Sequence, residues 1–325
     1  LISIRFLANG YIWWMGIEVV MAFITSYVLD YNIRKEYPWL NPQVSEGKLL
    51  QKKYPGIIDK TKQIFFHKIG TFVLTQTSPL VIYAYTSLTL VAMYGNYMLI
   101  VVGVTSLVNA LLNSINAGVG NLVAEGNKLQ IKSVFWELTA LRMWIASIVC
   151  FGMYMLGDSF IPQSTFIVLI LITFITLSRT NDVFLAAYGL YQDIWAPIVE
   201  AILNLGLSIL LGYYYGLTGI LSGVLISSLV IVYSWKPYFL YKKGFKENIV
   251  EYVLRYLKFL GLLSISCWVT KAISGKLFIL SMSSFFYWIL YGLIVMGLYL
   301  FVSIIFLSVD KSVRKFIQRF CKLLS

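Results

Sequence analysis

IGTFVLTQTSPLVIYAYTSLTLVAMYGNYMLIVVGVTSLVNALLNSINAGVGNLVA, residues 69–124, runs for 56 positions without an Asp, Glu, Lys, Arg or His. A helix needs roughly 20 apolar residues to cross a bilayer, so this stretch reads as two crossings joined by a hairpin. Working outward, Ser159–Ser178, Ala201–Trp235 and Leu277–Val309 are also free of charge and long enough to span. Hydrophobic residues make up 59% of the 325 and charged residues 12%, with 21 Phe, 23 Tyr and 9 Trp. Mean hydropathy is +0.79. These values define an integral membrane protein. Solid apolar runs exclude a transmembrane barrel, whose strands alternate. The expected fold class is all-α, a polytopic transmembrane helix bundle.

The apolar runs and their punctuation predict about nine spans, near 8–29, 67–87, 90–121, 138–157, 163–189, 195–215, 217–239, 258–275 and 283–307. An odd count puts the termini on opposite sides. Twenty-one Lys and Arg then fall in one set of loops and only Arg5, Lys271 and Lys276 in the other. The positive-inside rule makes the basic side, with the C-terminus, cytoplasmic. The net charge of +12 therefore reports topology and anionic lipid, and nucleic acid is not an expected partner.

Between the first two spans lies a polar tract, 30–66, interrupted by Pro38, Pro42 and Pro55. It reads as a cytoplasmic linker, with Ile57–Phe65 as a short interfacial helix. A second surface helix is expected at 242–257, where Ile249, Val253 and Leu257 alternate with Lys246, Arg255 and Lys258. The first apolar run has no charged leader and no small-residue cleavage site, so it is not read as a removable signal. Cys150, Cys267 and Cys321 form no disulfide framework or metal spacing.

Polar side chains inside spans carry the functional information, because hydrocarbon satisfies none of their hydrogen bonds. Ser106, Asn109, Asn113, Asn116 and Gly120 fall on one stripe of the third span. Such a stripe is either the wall of a wet cavity suited to hydroxyl groups or an adhesive surface between helices. The second span carries His67, Thr71, Thr75 and Ser78, with Gln76 offset and Pro79 as a kink. Arg179 and Asp182, at i and i+3 in the fifth span, are expected to neutralise each other, with Glu200 at similar depth. Arg142 is expected to snorkel. Glu18 lies in the middle of the first span without an evident partner.

No phosphate loop, zinc-protease or nucleophile-elbow motif occurs, so transport is expected rather than enzymatic catalysis, with no cofactor and no metal. Five strings carry a resemblance: FFHKIGTFVLTQTSPLVIYAY (65–85), SLTLVAMYGNYMLI (87–100), GVGNLVAEGNK (118–128), APIVEAILNLGLSILLGYYYGLTGILSG (196–223) and KPYFLYKKGF (236–245). In this order and spacing the chain resembles the polysaccharide biosynthesis family of Wzx-type O-antigen and capsule flippases, within the multidrug/oligosaccharidyl-lipid/polysaccharide exporter superfamily.

The resemblance implies two six-helix lobes. Residues 1–29 would be the last span of the first lobe, 30–66 the link, 67–241 the second lobe and 258–325 two extra spans and a basic tail. Five helices of the first lobe would then be missing from this chain. It further implies a bacterial inner membrane location and a polyprenyl-diphosphate oligosaccharide as cargo. Membrane lipid, a polysaccharide polymerase and chain-length machinery would be the partners. On that reading Asn109, Asn113, Asn116 and Gln76 face sugar hydroxyls, Arg179 and Lys68 attract the diphosphate, and Glu18, Asp182 and Glu200 are candidates for ion coupling. A drug or small-cation exporter of the same superfamily, or a scaffold for polysaccharide assembly, would be the alternatives.

Overall fold

A computed structural model describes residues 10–39, 44–157, 161–277, 285–310, 312–314 and 318. Among these every regular element is helical: α1 (Gly10–Glu36), α2 (Val44–Lys53), α3 (Pro55–Tyr85), α4 (Leu88–Glu125), α5 (Lys128–Leu156), α6 (Gln163–Leu177) and α7 (Thr180–Ala187). They are followed by α8 (Trp195–Ser228), a π-helical segment (Leu229–Trp235), α9 (Lys236–Phe239), a second π segment (Leu240–Phe245), α10 (Val250–Leu277) and α11 (Phe285–Leu307). Among the described residues seven stretches, against about nine expected, are long and apolar enough to cross a membrane, one of them the 51-residue Trp195–Phe245, which takes in two of the predicted spans.

The chain divides into two units, Leu1–Thr61 and Lys62–Ser325. In the first, α1 is exposed from Ile12 to Glu36 and closes with an i,i+4 pair in which Arg34 Nε lies 2.8 Å from Asp30 Oδ2. The tract expected to be a linker is largely helical. Pro55 opens α3 rather than breaking it, since the first turn needs no N–H from that residue. The predicted interfacial helix 57–65 is continuous with the span that follows.

In the second unit, local chemistry sets the helix ends. Ser87 caps α4 by accepting from the Leu90 N–H, Gly126 closes it in the left-handed conformation, and Asn127 caps α5 by accepting from the Gln130 N–H. The predicted break between the sixth and seventh spans is real. Gly216 has φ +56° and ψ −136° within α8, a conformation open to glycine, so the chain folds back on itself there. The two arms then touch closely: a Cβ on Gly223 would lie 2.5 Å from the Ser208 backbone nitrogen. Small residues at such crossings replace the hydrophobic drive that lipid removes.

The fifth span, predicted over 163–189, is the apolar stretch Gln163–Ala187, but its helix is interrupted: α6 ends at Leu177, and Ser178–Arg179 separates it from the short α7. The predicted surface helix 242–257 also does not form as one unit: the second π segment ends at Phe245, Lys246 turns with φ 58°, and α10 starts at Val250. The reason is that its charges find protein partners. Lys132 binds Glu247 and Glu251 at 2.6 and 2.7 Å, Lys258 binds Asp310 at 2.8 Å, and the Arg255 guanidinium lies 4.5 Å from the Trp136 ring centre. These contacts gather the starts of α5 and α10 and the segment after α11, through Asp310, at one end of the bundle. Beneath them Phe135, Trp136, Phe184, Tyr241, Phe245 and Tyr252 form an aromatic core with ring centres about 5–6 Å apart. Each such pair contributes roughly 0.5–1.5 kcal/mol beyond simple burial. Cys150 and Cys267 are free thiols, and Cys321 lies outside the described residues.

Candidate functional site

The break before α7 places a charged cluster inside the apolar bundle. With the backbone interrupted at Ser178–Arg179, Arg179 stands at the entry of α7 and Asp182 in its first turn. Arg179 Nε donates to Asp182 Oδ2 at 2.7 Å, the pair expected from their spacing. The other carboxylate oxygen accepts from Lys236 Nζ at 2.8 Å. Lys236, close to the end of the seventh predicted span, has a side chain only 15% exposed.

Local sequence explains its position. Pro237 lacks an N–H and its ring clashes with the carbonyl four residues back, so the chain widens into the π-helical segment Leu229–Trp235 just before it. Glu200, buried on the first arm of α8, lies within the fields of Arg179 and Lys236. Arg142 on α5 lies within the field of Asp182. It does not snorkel as expected: it is 6% exposed, and its Nε is buried without a hydrogen-bond partner. Three cations thus face two carboxylates, a site with an excess of positive charge and an unused guanidinium donor.

A second polar group adjoins through Trp235. Its indole N–H donates to Asp193 Oδ2 at 3.1 Å, while Asp193 Oδ1 lies 3.4 Å from His67 Nε2. His67, on the polar stripe of the second predicted span, thereby ties α3 to the connection before α8, with its ring 5.7 Å from that of Tyr191. Three residues on, Gly70 meets Pro197, leaving room for no Cβ.

The remaining predicted site residues are not gathered here. Asn109 and Asn113 are exposed on α4, and Asn116 is half-buried, its Nδ2 donating to Asn113 Oδ1 at 3.4 Å. An adjoining face of α4, with Val108, Leu112 and Val119, is buried in the bundle. Lys68 is exposed on α3 and enters none of the described ion pairs. Glu18 is exposed on α1, and the side chains of Gln76, Thr71 and Thr75 lie outside the described set. Sequence reasoning missed Lys236, Asp193 and the burial of Arg142; the polar connection at Tyr191–Asp193 was the one available signal. Comparison with protein-family models, curated proteins and solved structures finds no match for this chain.

Proposed function

We propose that the chain is part of a membrane flippase that moves a polyprenyl-diphosphate-linked oligosaccharide between leaflets by alternating access. The observation that carries this reading is the Arg142–Arg179–Lys236 group, where cations outnumber carboxylates and one buried guanidinium N–H is unspent. Arg is suited to hold a diphosphate bidentately. The uncharged amides on the exposed side of α4 suit sugar hydroxyls, and α4 packs beside α7, which carries Asp182. No covalent chemistry is required of the protein.

A drug or small-cation exporter of the same superfamily would favour an acidic site, and the cation excess argues against it. A scaffold without transport needs no buried unsatisfied donor. Binding of a labelled polyprenyl-diphosphate oligosaccharide to the purified chain separates these readings. The flippase reading expects binding that weakens at least tenfold in Arg142→Met and Arg179→Gln at unchanged protein abundance, in keeping with loss of a charge-assisted contact of roughly 1.5–3 kcal/mol. Equal affinity in all three proteins would overturn it.

A further inference from the structure

Away from this cluster, two cavities adjoin in the space between α6 and α10. One, of about 520 Å³, is lined by Cys150, Tyr154, Leu171, Cys267, Trp268 and Lys271 among others. The second, of about 410 Å³, continues it past Tyr233, Tyr252 and Leu257. The two share Leu171, Phe174 and Leu260, so they form one groove. Along α10 it runs from Tyr252 to Lys271, about 28 Å at the helical rise of ~1.5 Å per residue, close to the hydrocarbon thickness of a bilayer.

Its walls are almost wholly apolar, and its single charged residue is at one end. Lys271 there hydrogen-bonds the Tyr154 hydroxyl, with its ammonium 4.7 Å from the Tyr154 ring centre. None of the described ion pairs includes it. Trp268, 72% exposed, stands one turn away at the level where aromatic residues mark the membrane interface. This end is opposite the Lys132–Glu251 and Lys258–Asp310 pairs, since Arg255 and Lys271 are separated by over four turns of one helix.

We infer that the α6–α10 groove is a lipid site, in which an anionic glycerophospholipid lays an acyl chain along Leu171 and Phe174 and sets its phosphate on Lys271. The charge pattern selects that occupant. An apolar slot open to hydrocarbon loses dispersion contacts unless a tail fills it. An ammonium that enters none of the described ion pairs, at the polar end of the groove, matches the net negative charge of an anionic headgroup, which a zwitterionic lipid lacks. The Tyr154 ring and hydroxyl hold the ammonium in place at that depth. This site is independent of the flippase reading.

The test uses the full chain in nanodiscs of mixed phosphatidylglycerol and phosphatidylcholine, followed by native mass spectrometry of the lipid retained on release. Lys271→Gln should lower retention of phosphatidylglycerol about fivefold, the equivalent of ~1 kcal/mol for one cation at a lipid headgroup, and leave phosphatidylcholine unchanged. Lys271→Arg should restore it. Ser264→Trp, which fills the groove from a lining position, should lower retention of both lipids. Unchanged phosphatidylglycerol in Lys271→Gln overturns the headgroup assignment, and unchanged retention in Ser264→Trp overturns the groove. Preferential retention of an added polyprenyl phosphate over phosphatidylglycerol overturns the choice of occupant.

Discussion

Lys236 Nζ lies 2.8 Å from Asp182 Oδ1, joining the start of α9 to the first turn of α7 across 54 positions of sequence. Together with Arg179 on the other oxygen, it leaves Asp182 doubly paired within an apolar bundle. The contact has a packing consequence as well as a chemical one, because it fixes the widened segment before Pro237 against the break at Ser178.

Removing that carboxylate strands two cations. Asp182→Asn should destabilise the protein by roughly 1–3 kcal/mol, less than a fully buried pair would cost because the side chain is 35% exposed. Adding Lys236→Met to Asp182→Asn should recover part of the loss. Melting of the four proteins of this cycle in detergent checks it, and strictly additive losses would show that the pair is uncoupled.

Acid should loosen the far end of α11. Asp310 is 3% exposed, and burial alone would push its carboxyl up. Lys258 at 2.8 Å, the Ser312 N–H at 2.9 Å and Arg255 outweigh burial and hold it below the usual 3.8. The unfolded chain then binds the proton more tightly than the folded one, so this contribution is complete above pH 3.8 and drains away as pH falls through the lower folded value. Melting temperature followed against pH should fall more steeply for the natural protein than for Asp310→Asn in that acid range. Parallel curves would rule the clamp out.

The fold-back at Gly216 makes its neighbours unequal. Gly223→Ala brings a Cβ against the Ser208 backbone and should cost about 1–3 kcal/mol. Gly118→Ala, in open space on α4, should be neutral or gain up to ~1 kcal/mol. Detergent melting of the two variants separates close packing from helix propensity, and a Gly223→Ala as stable as Gly118→Ala would falsify the close approach.

Asn109 and Asn113 are exposed, while Leu112 between them is 4% exposed. Cysteines placed singly at the three positions should therefore differ: Asn109→Cys and Asn113→Cys should react with a membrane-impermeant thiol reagent in vesicles, and Leu112→Cys should not. Labelling absent at both Asn positions would mean that lipid or protein, rather than water, covers this face.

The Arg179–Asp182 pair was legible because only three positions separate the two residues, near enough in sequence for their side chains to meet even though the helix starts just after Arg179. Lys236 was not, since nothing local distinguishes a lysine that ends a span and faces water from one turned back to a carboxylate. Arg142 misled because the span was expected to start near 138, one turn before it, whereas α5 starts at Lys128; Arg142 therefore sits in the middle of the helix, too deep to reach the interface.

Hydropathy and charge are sums over adjacent residues, so the sequence by itself determined that the chain is helical, with several helices long and apolar enough to cross a membrane, and that it bends near Gly216; it misplaced helix bounds, as where α5 starts at Lys128 rather than near 138. Contacts between residues far apart along the chain were settled by the tertiary structure alone: the Asp182–Lys236 bond, the Asp193–His67 approach and the groove between α6 and α10. In lipid, apolar surface gives helices no preference among partners, and the choice falls to close packing and a few polar bonds whose geometry exists only once the helices have met.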